Sequence, residues 1–349
     1  MRVACQNGQE DVARDLIERD IEIEQRDRAG NTPLIVAASY NSVDVVELLL
    51  EQGALIEVTN NSGLSVLAKA SLKGCATDVA ELFIGKFGKQ GQLGSVVVGP
   101  IIKKGAQAQI QSSTSSTALV IACQYGDLHT PQALVHGGEC VNAQDDKGCS
   151  PLHYAALRGK TGIVGMLLDN SASIDVSAKS GWIALMNASY NGHSEIVSMI
   201  AERGRNVNLQ CPNGLTALSI ACRFGHLITA HQLIHSRSSV DMDDQHGNSP
   251  LMCASNNAHV PIIQLLVEHG ANIDLASKSG WNALMKATER GHVHVVKLLL
   301  QKGANIDKQG PKGATALNIA CEQNQLDVVV LLSPREPHLN WRTTRGILH

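Results

Sequence analysis

Glycine recurs at a fixed step through most of the chain. Gly148, Gly181, Gly214, Gly247, Gly280 and Gly313 follow one another at 33 residues, and Gly30 and Gly63 keep the same step. The flanking text recurs as well: Gly30-Asn31-Thr32-Pro33-Leu34, Gly148-Cys149-Ser150-Pro151-Leu152, Gly214-Leu215-Thr216-Ala217-Leu218 and Gly313-Ala314-Thr315-Ala316-Leu317. Downstream of each lies an apolar stretch such as Val45–Leu50 or Val295–Leu300, closed by Gly53-Ala54, Gly270-Ala271 or Gly303-Ala304. A period of this length means that one small unit is copied and that no copy buries its apolar face without its neighbours. The composition agrees: 31 glycines against only 3 Trp, 4 Tyr and 3 Phe suit a thin, regular stack better than one thick core.

Each copy reads as two short helices and a turn. Thr or Ser before Pro starts the first helix, because Pro at the first helical position has no amide hydrogen to leave unpaired. A Gly-His or Gly-Asp step, as at Gly192-His193 and Gly291-His292, separates the helices. The second helix has Val-Val-x-x-Leu-Leu spacing, one apolar face at helical period. Its terminal glycine suits a left-handed helix end, and Asp-x-x-Gly turns the chain into the next copy.

The period and the Thr-Pro-Leu helix start resemble ankyrin repeats. The resemblance covers about residues 1–333 as roughly nine repeats with a partial one at the N-terminus. It implies an all-α solenoid of stacked helix-turn-helix units with projecting β-hairpin-like loops. A second period lies inside the first: Trp182 and Trp281 are 99 residues apart, as are Cys123, Cys222 and Cys321. Cys5 to Cys123 is 118, so the first triplet carries 19 extra residues, within about 75–105. Thr77–Phe83 and Ser95–Ile102 are both candidates for the outer helix there. The phasing of Gly105-Ala106 favours the second, leaving Lys86, Lys89, Lys103 and Lys104 on or near a loop insertion. Residues 334–349, with Arg335, Trp341, Arg342 and Arg345, have no repeat character. Met1 falls inside a first helix, and such arrays need polar end caps. The expectation is therefore a fragment of a longer protein.

Nothing in the chain spells catalysis. No P-loop, GxGxxG, GxSxG, HExxH or CxxC occurs. The reading is no enzyme, no metal and no cofactor. His193, His226 and His292 sit at Gly-His steps, where the resemblance implies structural hydrogen bonds. Cys5, Cys123, Cys222 and Cys321 follow Ala on first helices and read as small packed hydrophobes; Cys140 and Cys149 fall near a turn. A net charge of −3 gives no reason to expect nucleic acid, and the insertion's lysines are diluted by Asp78 and Glu81, against a membrane surface. No apolar run is long enough to span a bilayer. With no secretory signal, the expected location is the cytoplasm, with the nucleus the alternative.

The resemblance also implies where partners bind: on a concave face made by loop tips and the exposed ends of first helices. Six of the ten aromatics fall there, where the stack needs none: Trp182, Trp281, Tyr40, Tyr125, Tyr190 and Phe224. The others are Tyr154, Phe83, Phe87 and Trp341. Aromatics and Arg dominate binding hot spots. The candidate site is thus Trp182, Tyr190, Arg223, Phe224, Trp281, Arg290, Tyr40 and Tyr125, with Trp182, Tyr190, Arg223 and Phe224 as one cluster and Trp281 with Glu289-Arg290 as another. The function expected is a monomeric interaction scaffold or adaptor for a protein or peptide. The alternative is the recruiting arm of a larger enzyme or channel, such as a kinase or ubiquitin ligase.

Overall fold

Caps decide where the helices begin. Thr32 accepts the Ile35 N–H, Ser249 accepts the Met252 N–H, and the prolines that follow occupy the first helical turn. At two helices where Ala replaces Pro, the cap is a reciprocal box: Thr216 with Ser219, and Thr315 with Asn318. The computed structural model describes residues 1–56, 58–72, 78, 79, 82, 118–125, 128–136, 138–204 and 206–333. Among them every regular element is helical, apart from one isolated bridge between Thr59 and Ser65.

The chain divides into two units, 1–212 and 213–349. In the first unit the helices are α1 (Arg2–Asn7), α2 (Glu10–Glu18), α3 (Pro33–Ser39), α4 (Val43–Glu51), α5 (Val66–Leu72), α6 (Ala118–Tyr125), α7 (His129–His136), α8 (Pro151–Arg158), α9 (Thr161–Asp169), α10 (Ala184–Tyr190) and α11 (Ser194–Arg203). First helices pack on first helices in the order α1, α3, α5, α6, α8, α10; second helices form a parallel row, with α2 on α4 and α7, α9 and α11 in sequence. The second unit repeats the plan. Its first helices are α12 (Ala217–Phe224), α14 (Pro250–Asn256), α16 (Ala283–Glu289) and α18 (Ala316–Glu322); its second helices are α13 (Leu227–His235), α15 (Val260–Glu268), α17 (Val293–Gln301) and α19 (Leu326–Leu332). The core is the seam between the rows: Leu34, Leu152, Leu218, Leu251 and Leu284 from first helices, with Val45, Ile163, Val197, Ile263 and Val295 from second helices.

All eight phased glycines have positive φ, between 69° and 84°. The same backbone is adopted between paired helices by Gly192, Gly225 and Gly291 but also by Asn41, Ala258 and Asn324. Ala258 carries this strain without the freedom of glycine. Gly204, at a second-helix end, departs from the pattern with extended backbone.

Successive loops are stitched by single backbone hydrogen bonds rather than by strands. Asn61 donates to Ala29, Lys179 to Lys147, Gln245 to Asn213 and Lys278 to His246. A second ladder runs along the loops after the outer helices. There Glu24, Asn142, Asp241 and Asp274 each accept the backbone N–H of a residue 31 positions on: Leu55, Ser173, Asn272 and Asn305.

The insertion's Ser95–Ile102 and its lysines, Gly105-Ala106, Phe83, Phe87 and the tail 334–349 lie outside the described residues. From the rival stretch Thr77–Phe83, Val79 is fully buried in the core of the first repeats, Leu82 packs against it, and Asp78 accepts a hydrogen bond from Asn41. One packing expectation needs correction. Cys5, Cys123 and Cys222 are buried, but Cys321 is exposed. It lies on α18, the last described first helix, with no described first helix beyond it.

Candidate partner-binding face

Two devices hold the turn tips and the ends of the first helices. At the tip, Asp244 accepts the backbone N–H groups of His246 and Asn248, and Gly247 donates back to its carbonyl. Asp27 and Asp145 do the same in their repeats. Ser277 takes the aspartate's place before Trp281, accepting that tryptophan's N–H at 3.1 Å. At the Trp182 turn Ala178 offers no acceptor; the Trp182 N–H reaches Ser180 Oγ at 3.4 Å instead, and the backbone bond from the Ala178 N–H to the Trp182 carbonyl, at 2.8 Å, closes the loop.

At the helix ends, a histidine from the following repeat clamps a carbonyl. His193 Nε2 lies 3.3 Å from the Leu157 carbonyl, His259 Nε2 3.1 Å from that of Arg223, and His292 Nε2 3.1 Å from that of Asn256. The ring donates, since a carbonyl can only accept. Glycine makes room for it: a Cβ on Gly159 would lie 2.6 Å from the His193 ring, and one on Gly225 2.7 Å from His259. His259 follows Ala258, so a search for Gly-His steps misses it. His153 adds a link of its own. Its Nδ1 caps with Ser150 while Nε2 donates to the Trp182 carbonyl at 3.0 Å, and burial lowers its pKa and keeps it neutral.

Each predicted residue lies where this frame presents it. Tyr40, Tyr125, Tyr190 and Phe224 end first helices and stay 41–53% exposed, too open for core residues. Arg223 and Arg290 are exposed at the ends of α12 and α16, and the two tryptophans are half-buried at turn tips. In the first unit, Trp182 and Tyr190 meet edge to face, ring centres 5.8 Å apart, and the Arg158 guanidinium lies 5.8 Å from the Tyr125 ring. In the second unit, the Lys286 ammonium sits 4.6 Å from the centre of the Trp281 ring and 3.9 Å from Glu289. Arg223 and Phe224 lie in the second unit, at the end of α12. Arg158 and Lys286 are absent from the expected site, although position predicts the first: it ends α8 in the phase of Tyr125 and Phe224.

Titration chemistry is sparse. Burial pushes the Cys222 thiol far up, and Cys253 up to about 11, so neither is a thiolate near neutral pH. Tyr154 donates to Asp145 at 2.6 Å, a structural tie. The outlier is Glu139, which stands where other repeats place the alanine of Gly-Ala. Removal from water pushes its carboxyl up to about 8, although the Leu119 N–H opposes the shift. Among the described residues no three His, Cys, Asp or Glu side chains converge as a metal site, and no helix is long and apolar enough to cross a membrane.

A helical stack with aromatic and cationic side chains along one row of tips defines a class: repeat modules that present a surface rather than a pocket. The family model described as "Ankyrin repeats (3 copies)" matches residues 1–94, 89–180, 185–277 and 271–342, and the chain belongs to that family. The ankyrin repeat is a non-catalytic interaction module. The chain is 28% identical over 194 residues to the human transient receptor potential cation channel subfamily A member 1, covering 49% of this chain and 17% of that protein. It is 28% identical over 171 residues to the Caenorhabditis elegans ankyrin repeat and KH domain-containing protein mask-1, covering 49% and 6%. It is likewise 28% identical over 167 residues to the palmitoyltransferase AKR1 of Lachancea kluyveri, covering 48% and 21%. The match thus spans about a fifth or less of each of these relatives.

Proposed function

We propose that this chain is an interaction scaffold, binding a protein or peptide on the face formed by its turn tips and first-helix ends, without catalysis of its own. The observation that carries the reading is the placement of the aromatics. They lie off the packing seam, half-buried or exposed, on backbone that hydrogen bonds to the next repeat hold in place. Such side chains lose little entropy on binding and carry hot-spot energy. The cytoplasm or nucleus is the setting we assign to it, as a monomer.

Panning a library of random twelve-residue peptides against the whole chain tests this. The recovered peptides should bind Trp182→Ala/Trp281→Ala more weakly by about 2 kcal/mol, roughly thirtyfold, with helicity unchanged. Equal binding by the double variant would sink the proposal.

A second reading is favoured by the relatives. A channel and a palmitoyltransferase each contain the matched region within a much longer chain. On this reading the repeats recruit partners for a larger channel or enzyme. Sequencing the transcript from native RNA separates the two. A channel or enzyme domain in the same reading frame supports the recruiting arm; repeats alone support the free-standing scaffold.

A further inference from the structure

The face of the second unit is rich in cations. Its tips and first-helix ends from α12 to α16 carry Arg223, Lys278, Lys286 and Arg290. Arg223, Lys278 and Arg290 are exposed, and none forms an ion pair among the described residues. The acids beside them are few. Asp243 is exposed one residue before the tip, Asp244 is buried and occupied by its turn, and Glu289 is half-buried 3.9 Å from Lys286. Glu322 lies one repeat further on, at the end of α18. Most other acids of this unit lie on the opposite row: Glu268 and Asp327 on second helices, Asp241, Asp274 and Asp307 in the loops after them. Arg223 and Lys286 stand on the two helices that flank α14, and both charges act on the Cys253 thiol between them.

We propose that this face takes an acidic, extended segment of a partner protein, one carboxylate meeting Arg223, a second meeting Lys286 and Arg290, and an apolar side chain against Trp281. The inference rests on the binding face proposed above and adds the chemistry of its occupant. Packed helices lie about 8–10 Å apart, so two steps separate the cations by roughly 16–20 Å. An extended chain advances about 3.3 Å per residue and covers that distance in five or six residues. The two carboxylates are therefore five or six positions apart. A nucleic acid fits worse. A strand carries a charge about every 3.4 Å, and a run of phosphates would meet Glu289 and Glu322 as well as the four cations.

The peptide panning supplies the test, with synthetic fluorescein-labelled copies of the recovered peptides as probes and twelve-residue oligothymidylate as the rival probe. Expected are peptides enriched in paired Glu or Asp five or six apart. They should bind at least tenfold more weakly once those acids become Gln, and at least tenfold more weakly to Arg223→Gln/Lys286→Gln, with circular dichroism unchanged. Arg223→Lys/Lys286→Arg should retain binding, which separates lost charge from lost packing on Trp281. Peptides that depend on Trp182 and Trp281 but show no acid enrichment would overturn this inference and leave the binding face standing. Peptides indifferent to both the tryptophans and the cations would overturn both. Oligothymidylate binding more tightly than the peptides, and lost in the Gln variant, would assign the face to nucleic acid instead.

Discussion

A methyl group on Gly214 would lie 2.5 Å from the Gln245 backbone nitrogen; one on Gly53 meets nothing within 4 Å, and both glycines have φ near 80°. The pair separates two costs that a glycine position can carry. Gly53→Ala costs only the left-handed backbone, about 1 kcal/mol. Gly214→Ala adds a collision with the backbone of the next repeat and should cost at least twice as much in urea unfolding. Glu139 is the other telling residue. The unfolded chain loses this proton near pH 4.5 and the folded chain near 8, so stability falls as pH rises through that window. Glu139→Ala, which restores the alanine found at Ala54, Ala172, Ala271 and Ala304, should stabilise the fold, and by more at pH 8 than at pH 5. Thermal melts at the two pH values check it, and an equal gain at both would show that Glu139 titrates normally in the fold. The break in Gly-Ala at Gly138-Glu139 is visible in the sequence; the loss of hydration that moves the carboxyl is not.

The helices show what period alone conveys. Pro at the first turn of α3, α8 and α14 and the Val-Val-x-x-Leu-Leu face both follow from local chemistry, and both were legible. Cover is not local. Cys222 and Cys321 sit in identical Ala-Cys pairs 99 residues apart, yet α14 shields the first while no described first helix follows the second. A thiol reagent under native conditions should therefore modify Cys321 and Cys140 early. Cys5, Cys123 and Cys222 should react only on unfolding, as followed by peptide mass spectrometry. Fast labelling of Cys222 would mean that α12 and α14 separate readily. The candidate face divides in the same way. Phase alone gives the positions of Trp182, Tyr190, Trp281 and Arg290. That Tyr190 takes the edge of Trp182 and Lys286 the face of Trp281 depends on side-chain directions that a repeat pattern does not contain.

Within each of the two units of the molecule, stability is a sum over neighbours, since the described helices pack on those of adjacent repeats. The ladder of loop acceptors gives that sum a unit of length. Asp241 reaches Asn272 and Asp274 reaches Asn305, each over 31 positions. Excising 33 residues, 242–274, leaves Asn305 again 31 positions beyond Asp241, with Ser277 where Asp244 stood. Excising 30, 242–271, leaves Asp241 31 positions from Lys302 instead. The first variant should melt cooperatively with one repeat's less enthalpy, and the second should show lost helicity by circular dichroism. The loops thus act as the thread of a screw: the chain can be lengthened or shortened by whole turns, and at each new length the cations and tryptophans return to the same edge at a different separation. A chain built this way can lengthen or shorten that edge without inventing a new surface.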